Sequence, residues 1–135
     1  SLTIVNAPEG DRAITLRTDS PKAHAFRGMS LEQMGEAKKS MEAYEKAARA
    51  STGVAASASQ TKLAVVAYKD KRYADARALA EAAVKADPKN AQARYVLGLS
   101  AYALGDRKTA SEQEYQLNAL DKERAAALRK LIAKD

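Results

Sequence analysis

Apolar and small residues recur every three or four positions along this chain from residue 21 onward. That spacing predicts helices, because it gathers side chains on one helical face. Short polar turns at residues 35–36, 70–72 and 105–106 interrupt the stripes, and Pro88 ends another one because proline lacks an amide donor. We therefore predict helices over the approximate ranges 21–35, 36–50, 55–69, 73–87, 91–104, 108–120 and 123–133.

The pattern repeats itself at a fixed interval in the middle of the chain. Leu63 corresponds to Leu97, and Ala76 corresponds to Ala110, each pair lying 34 positions apart. A fixed period of this length, built from pairs of helices, predicts a solenoid of stacked helix–turn–helix units. The predicted units are about 21–56, 57–90 and 91–122, and an amphipathic helix at about 123–133 caps the last one.

Residues 1–20 have a different pattern from the rest of the chain. Two short β-branched runs, at residues 2–5 and 13–16, flank a turn signal at residues 7–10. We predict an extended or flexible segment here, separate from a helical domain at 21–135. It is either an undocked tail or a segment that docks in a groove, of its own chain or a neighbour's, since burying a large apolar side chain contributes roughly 1.5–3 kcal/mol.

Composition narrows the class of protein only slightly. The 135 residues include no cysteine, so neither disulfides nor thiolate metal sites are expected. That is compatible with the bacterial cytoplasm and equally with the periplasm. The formal net charge is +6, but lysine and arginine alternate with acidic residues throughout, which favours a solvated helical surface over a surface for nucleic acid or membranes. The alternative, a nucleic-acid or membrane surface, would use Arg124, Arg129, Lys130 and Lys134.

Candidate catalytic chemistry is sparse. His24 is the only histidine, which leaves no pair of histidines for a metal and no support for a Ser-His-Asp arrangement. Carboxylates such as Glu42 and Glu45 stand beside lysines on predicted helix surfaces, where pairing along the helix explains them. No glycine-rich phosphate loop is present. We therefore expect no catalytic residue, no cofactor and no bound metal.

Small residues recur at equivalent places in the three units, and their pattern resembles the tetratricopeptide repeat family over about residues 21–122. The family's Gly-Asp turn is present as Gly105-Asp106, and its proline as Pro88. The resemblance implies an all-α, right-handed superhelix of three helix–turn–helix repeats with a C-terminal capping helix. The small residues are Gly28, Ala64 and Gly98 at the eighth position, and Ser40, Ala76 and Ala110 at the twentieth.

Two of these small residues need a physical reason. A glycine inside a helix costs roughly 1 kcal/mol relative to alanine, so Gly28 and Gly98 are unfavourable for helix formation itself. We predict that each allows the two helices of its repeat to approach closely.

The resemblance also implies where a partner binds. The first helices of such repeats line a concave groove that holds peptides or partner helices. Tyrosines suit this role, since they combine a large apolar contact with a polar end. The alternative is that the same residues only pack neighbouring repeats together. The predicted partner-binding residues are Met29, Val65, Tyr68, Lys69, Tyr95, Leu99 and Tyr102.

One subclass of the family is not matched. Chaperone-docking members resemble one another in a clamp of lysine, asparagine and arginine that grips a terminal carboxylate. We therefore predict a non-catalytic interaction module that binds an apolar or amphipathic peptide or helix. The alternative is a self-assembling scaffold, in which the N-terminal segment docks in a neighbouring chain's groove. At the clamp positions this chain has Ala25, Met29, Lys62, Gln92 and Val96.

Overall fold

A computed structural model describes residues 20–134 of the chain. This part contains seven α-helices and no β-strand. The helical predictions are confirmed, with each boundary within two residues of the predicted one. In chain order the helices are α1 (Pro21–Gln33), α2 (Ala37–Arg49), α3 (Gly53–Lys69), α4 (Tyr73–Ala86), α5 (Ala91–Ala103), α6 (Arg107–Leu120) and α7 (Lys122–Ile132).

The helices pair into three hairpins that stack in sequence order. Within the hairpins, α1 packs on α2, α3 on α4, and α5 on α6. Between them, α2 contacts α3, α4 contacts α5, and α3 also reaches α5. The last helix, α7, packs on both α6 and α5, which is the position of a capping helix. The fold is the predicted all-α superhelix, and none of the helices in residues 20–134 is both long and apolar enough to span a bilayer.

The turn inside each hairpin has the same backbone geometry. Gly35, Lys71 and Gly105 all adopt positive φ angles, of 79°, 60° and 85°. Glycine fits this left-handed conformation without steric cost, so the lysine in the second repeat is the unusual member. Lys71 thus adopts the same left-handed turn conformation as Gly35 and Gly105, although its residue type does not indicate it. The matching backbone hydrogen bonds are Glu36 N–H to Leu31 O (2.9 Å), Arg72 N–H to Ala67 O (2.9 Å) and Asp106 N–H to Ala101 O (2.8 Å).

The two helical glycines lie under large side chains. A methyl group added at Gly28 would come within 2.8 Å of the Tyr44 ring, which α2 contributes from the same hairpin. At Gly98 it would come within 2.5 Å of Leu128, which belongs to α7. The close approach within a hairpin is therefore confirmed at Gly28. At Gly98 the tightest contact comes instead from the capping helix, because α7 packs across α5.

A polar cluster centred on Asn90 joins α3, α4 and α5. The Asn90 amide donates to the Ser57 hydroxyl (3.0 Å) and to the Thr61 hydroxyl (3.1 Å), while its oxygen accepts from the Ala93 N–H (3.0 Å) and caps α5. The Ser57 hydroxyl in turn donates to the carbonyl of Ala83 on α4 (2.7 Å). Buried polar groups with satisfied partners fix one packing arrangement. The cluster thus sets the position of α3 relative to α5.

Candidate functional site

Two adjoining cavities open where α3, α5 and α7 meet, with volumes of about 400 Å³ and about 360 Å³. Both are lined by Tyr68, Tyr95 and Leu99, so they form one continuous depression, which we call the tyrosine trough. Helices α3 and α5 are the first helices of their repeats, and the Asn90 cluster holds them together. The remaining lining residues are Val65, Lys69, Gln92, Val96, Arg124, Ala127, Lys130, Leu131 and Lys134.

Most of the predicted partner-binding residues lie in this trough, but two do not. Met29 is 44% exposed on α1, in a different part of the solenoid. Tyr102 lies near the end of α5, where the Arg107 guanidinium is 5.8 Å from the centre of its ring. Neither residue lines either cavity of the trough. The residues that do are Val65, Tyr68, Lys69, Tyr95 and Leu99.

The two tyrosines of the trough, Tyr68 and Tyr95, each contact a neighbouring side chain through the ring and remain partly exposed. The ring of Tyr68 packs against that of Tyr73, with 5.4 Å between the ring centres and a tilt of 58°. Burial raises the pKa of the Tyr68 phenol, with smaller contributions from Tyr73 and Tyr95. The Arg124 guanidinium lies 5.9 Å from the Tyr95 ring, within range of a cation–π contact. Tyr68 therefore offers a neutral hydroxyl and an apolar ring at physiological pH.

The capping helix contributes a wall of the trough that the sequence analysis missed. Ala127, Lys130 and Leu131 of α7, together with Lys134 just after the helix, line the cavity that also contains Tyr68. Ala127, Lys130 and Leu131 are spaced by three and four residues, and this spacing in the sequence indicates that they share one face of α7. The spacing does not indicate which surface that face covers, because the covered surface depends on how α7 crosses α5.

The structure also divides the four basic residues that a nucleic-acid surface would use. Arg129 pairs with Glu114 of α6 at 3.5 Å and does not line the trough. Arg124 pairs with Asp121 at 2.6 Å and also lines the trough. Lys130 and Lys134 line it as well. The four charges therefore do not form one separate basic face.

A third cavity, of about 610 Å³, lies at the junction of the first and second repeats. Its exposed lining is mostly apolar, and it shares Val65 and Lys69 with the trough, so the two depressions are continuous. One edge is fixed by Arg72, which contacts the Met41 sulfur at 3.2 Å and pairs with Asp70 at 3.1 Å. The other lining residues are Glu32, Ala37, Lys38 and Val66.

Groups that could hold a metal ion are not assembled in the described part of the chain. Within residues 20–134, no three histidine or acidic side chains are arranged to hold a metal ion. The Nδ1 atom of His24 lies 3.5 Å from the Arg27 guanidinium on the exposed side of α1.

Comparison with known proteins gives the following matches. Two family models, both described as tetratricopeptide repeat, match residues 21–52 and 61–117. No curated protein matches the chain. Among solved structures, one similar chain is described as the second TPR of Spaghetti (RPAP3) bound to the HSP90 peptide SRMEEVD. It has a TM-score of 0.68 and 17% identity, over 77% of this chain and 88% of that one, a likeness that concerns the fold.

Proposed function

The chain belongs to the tetratricopeptide repeat family, and from this premise we propose that it is a non-catalytic protein-interaction module. Its partner supplies an apolar or amphipathic peptide or helix that lies in the tyrosine trough. The observation that carries this proposal is the position of Tyr68, Tyr95 and Leu99, which α3 and α5 bring to one open depression.

The composition of the trough supports a peptide ligand. Its central side chains are aromatic or aliphatic and only partly buried, so they keep apolar surface for a partner. The hydroxyls of Tyr68 and Tyr95 can donate hydrogen bonds to a partner's backbone or side chains. Because the Asn90 cluster fixes α3 against α5, little order has to be gained on binding.

The similar solved structure supports the class of ligand and not its identity. That protein is described with a bound peptide, and a peptide is also what a trough of this shape accommodates. In this chain Ala25, Met29 and Gln92 stand where clamp-type members carry charged or amide side chains. We therefore propose recognition by apolar anchoring and not by a grip on a terminal carboxylate.

The test uses peptides selected by the protein itself. Random peptides of about 12 residues, displayed on phage, are panned against the intact chain, and the enriched sequences are synthesised with a fluorophore. We expect the Tyr68→Ala, Tyr95→Ala double variant to lose at least about 30-fold in affinity by fluorescence anisotropy, since buried tyrosine anchors contribute 2 kcal/mol or more. Circular dichroism should show an unchanged helical signal.

A matched control comes from a tyrosine elsewhere on the surface. Tyr115 on α6 is 75% exposed and lies outside the trough, so Tyr115→Ala should bind the peptides like the parent chain. Tyr102→Ala and Met29→Ala test the two predicted residues that lie outside the cavities. Peptides that bind the double variant with full affinity would exclude the trough as the binding surface.

Self-assembly stays a separate prediction. It depends on residues 1–20, of which residues 1–19 lie outside the described part of the chain. Light scattering with and without these residues measures it directly. A scaffold would dissociate from an oligomer into monomers when these residues are deleted, whereas the oligomeric state of a receptor would not change.

A further inference from the structure

The charges around the tyrosine trough narrow the class of partner. Resting on the proposed function, we infer that the trough binds an acidic amphipathic segment. Apolar side chains of that segment contact Tyr68, Tyr95 and Leu99, and its flanking aspartate or glutamate side chains pair with lysines of the trough. The partner is thus identified by the spacing of its carboxylates around an apolar stripe.

The charged side chains that line the trough share one sign in the described part of the chain. Within residues 20–134, the lining contains Lys69, Arg124, Lys130 and Lys134 and no carboxylate. The junction cavity beside it is different, because Glu32 and Asp70 accompany its basic side chains. A depression with charges of one sign and low-polarity walls concentrates the field and attracts the opposite charge.

Most of these basic side chains form no ion pair with another residue of the described range, 20–134. Arg124 is largely engaged, since it pairs with Asp121 at 2.6 Å. No ion pair joins Lys69, Lys130 or Lys134 to another side chain within residues 20–134. These ammonium groups are therefore available to a ligand, which can pair with them without breaking an ion pair among residues 20–134.

The lysines of the trough come from two separate parts of the fold. Lys130 lies near the end of α7 and Lys134 just after that helix ends at Ile132, and both line the cavity that also contains Leu131. Lys69 comes from a different helix, α3, and lines the cavity on the side of the first repeats. The positive charges thus lie at both ends of the apolar contacts made by Tyr68 and Tyr95. A segment with carboxylates on either side of its apolar residues matches this distribution.

The inference is tested by the acidic residues of the selected peptides and by the effect of removing their charge. Phage-displayed peptides fused at their C-terminus have no free terminal carboxylate, so any preference for acid must come from side chains. We expect aspartate and glutamate to be enriched beside aromatic or aliphatic residues. A Glu→Gln analogue of a selected peptide should bind about tenfold more weakly at low ionic strength, and the difference should shrink at about 0.5 M salt because screening weakens exposed pairs.

Reversal of the trough charges provides the protein side of the experiment. Panning against the Lys130→Glu, Lys134→Glu variant should abolish the acidic enrichment. The control is Lys85→Glu, Lys89→Glu, which changes net charge equally at exposed positions outside the trough. It should keep the preference.

The outcomes separate this inference from the function on which it rests. Equal affinity for the acidic peptide and its Gln analogue, or an equal loss in the Lys85, Lys89 control, overturns the acidic partner and leaves peptide binding intact. Binding that is insensitive to Tyr68→Ala, Tyr95→Ala overturns the binding site itself.

Discussion

Each end of this solenoid has a helical glycine, Gly28 or Gly98, under a large side chain, but the helix that supplies this side chain differs. At the N-terminal end, α1 buries only Gly28, while Phe26 on this helix and Met34 at its C-cap are 67% and 70% exposed. At the C-terminal end, α5 buries residues along most of its length, because α3, α4, α6 and α7 all contact it, and α7 places Leu128 over Gly98. Each glycine is covered, but by the same hairpin at one end and by an added helix at the other.

The difference shows what a repeat can and cannot supply for itself. A helix hairpin buries the surface between its two helices, while its outer face needs a neighbouring repeat or a cap. In the described part of the chain, α7 provides that cover for the third repeat. The same helix lines the tyrosine trough, so capping and the formation of the candidate site depend on one element. The predictions below test this contrast, from the largest expected effect to the smallest.

The largest effect is expected from Leu128→Ala. This side chain is fully buried, and truncation of such a leucine leaves a cavity that costs about 2–5 kcal/mol of unfolding free energy. Urea denaturation followed by circular dichroism measures the loss. Leu120→Ala, at a 37% exposed position on α6, is the control and should cost much less. Equal losses would show that α7 does not dominate the stability of this end.

An intermediate effect is expected from Gly98→Ala. The new methyl group would collide with Leu128, and overpacking of this kind costs about 1–3 kcal/mol, which the better helix propensity of alanine offsets by about 1 kcal/mol. In the Leu128→Ala background the collision disappears, so the same substitution should become stabilising. A double-mutant cycle measures this coupling. Additive free energies would contradict the assigned contact.

The N-terminal counterpart is tested through pH. Burial, with help from the nearby Glu32 carboxylate, raises the pKa of Tyr44 to about 12. The folded state therefore favours the neutral phenol, so this contribution to stability is complete below pH 10 and falls as the pH rises from 10 toward 12. Tyr44→Phe should lose about 1 kcal/mol at neutral pH, with the hydrogen bond to Glu32, and should lack this decline. If the unfolding free energy falls equally with pH above 10 in the parent chain and in Tyr44→Phe, Tyr44 is not the group responsible for the decline.

The smallest effect is expected from Phe26→Ser on the open face of α1. Because this side chain is 67% exposed, the change in unfolding free energy should stay within about 0.5 kcal/mol. Thermal unfolding of the full chain measures it, with the 70% exposed Met34→Ser as a matched variant. A loss of about 2 kcal/mol would instead indicate that residues outside 20–134 cover this face.

Much of the architecture could be read from the chain. Helical spacing gave the seven helices, and the 34-residue interval between Leu63 and Leu97 gave the stacked repeats, because both depend on local periodicity. The contact at Gly28 followed in the same way, since its partner lies within one hairpin. Lys71 was not recognised as a left-handed turn residue, because its side chain carries no sign of a conformation that the surrounding hairpin imposes.

The sequence by itself determined the class of fold, the approximate positions of the seven helices in the described residues, and the helices on which Tyr68 and Tyr95 lie. Only the tertiary structure decided that Leu128 covers Gly98, that Tyr102 lies outside the trough, and that Lys130 of α7 and Lys134 just after it line the trough. The physical reason is the range of the interactions. Periodicity fixes which side of a helix is apolar, whereas the crossing of α7 over α5 depends on packing between helices distant in sequence.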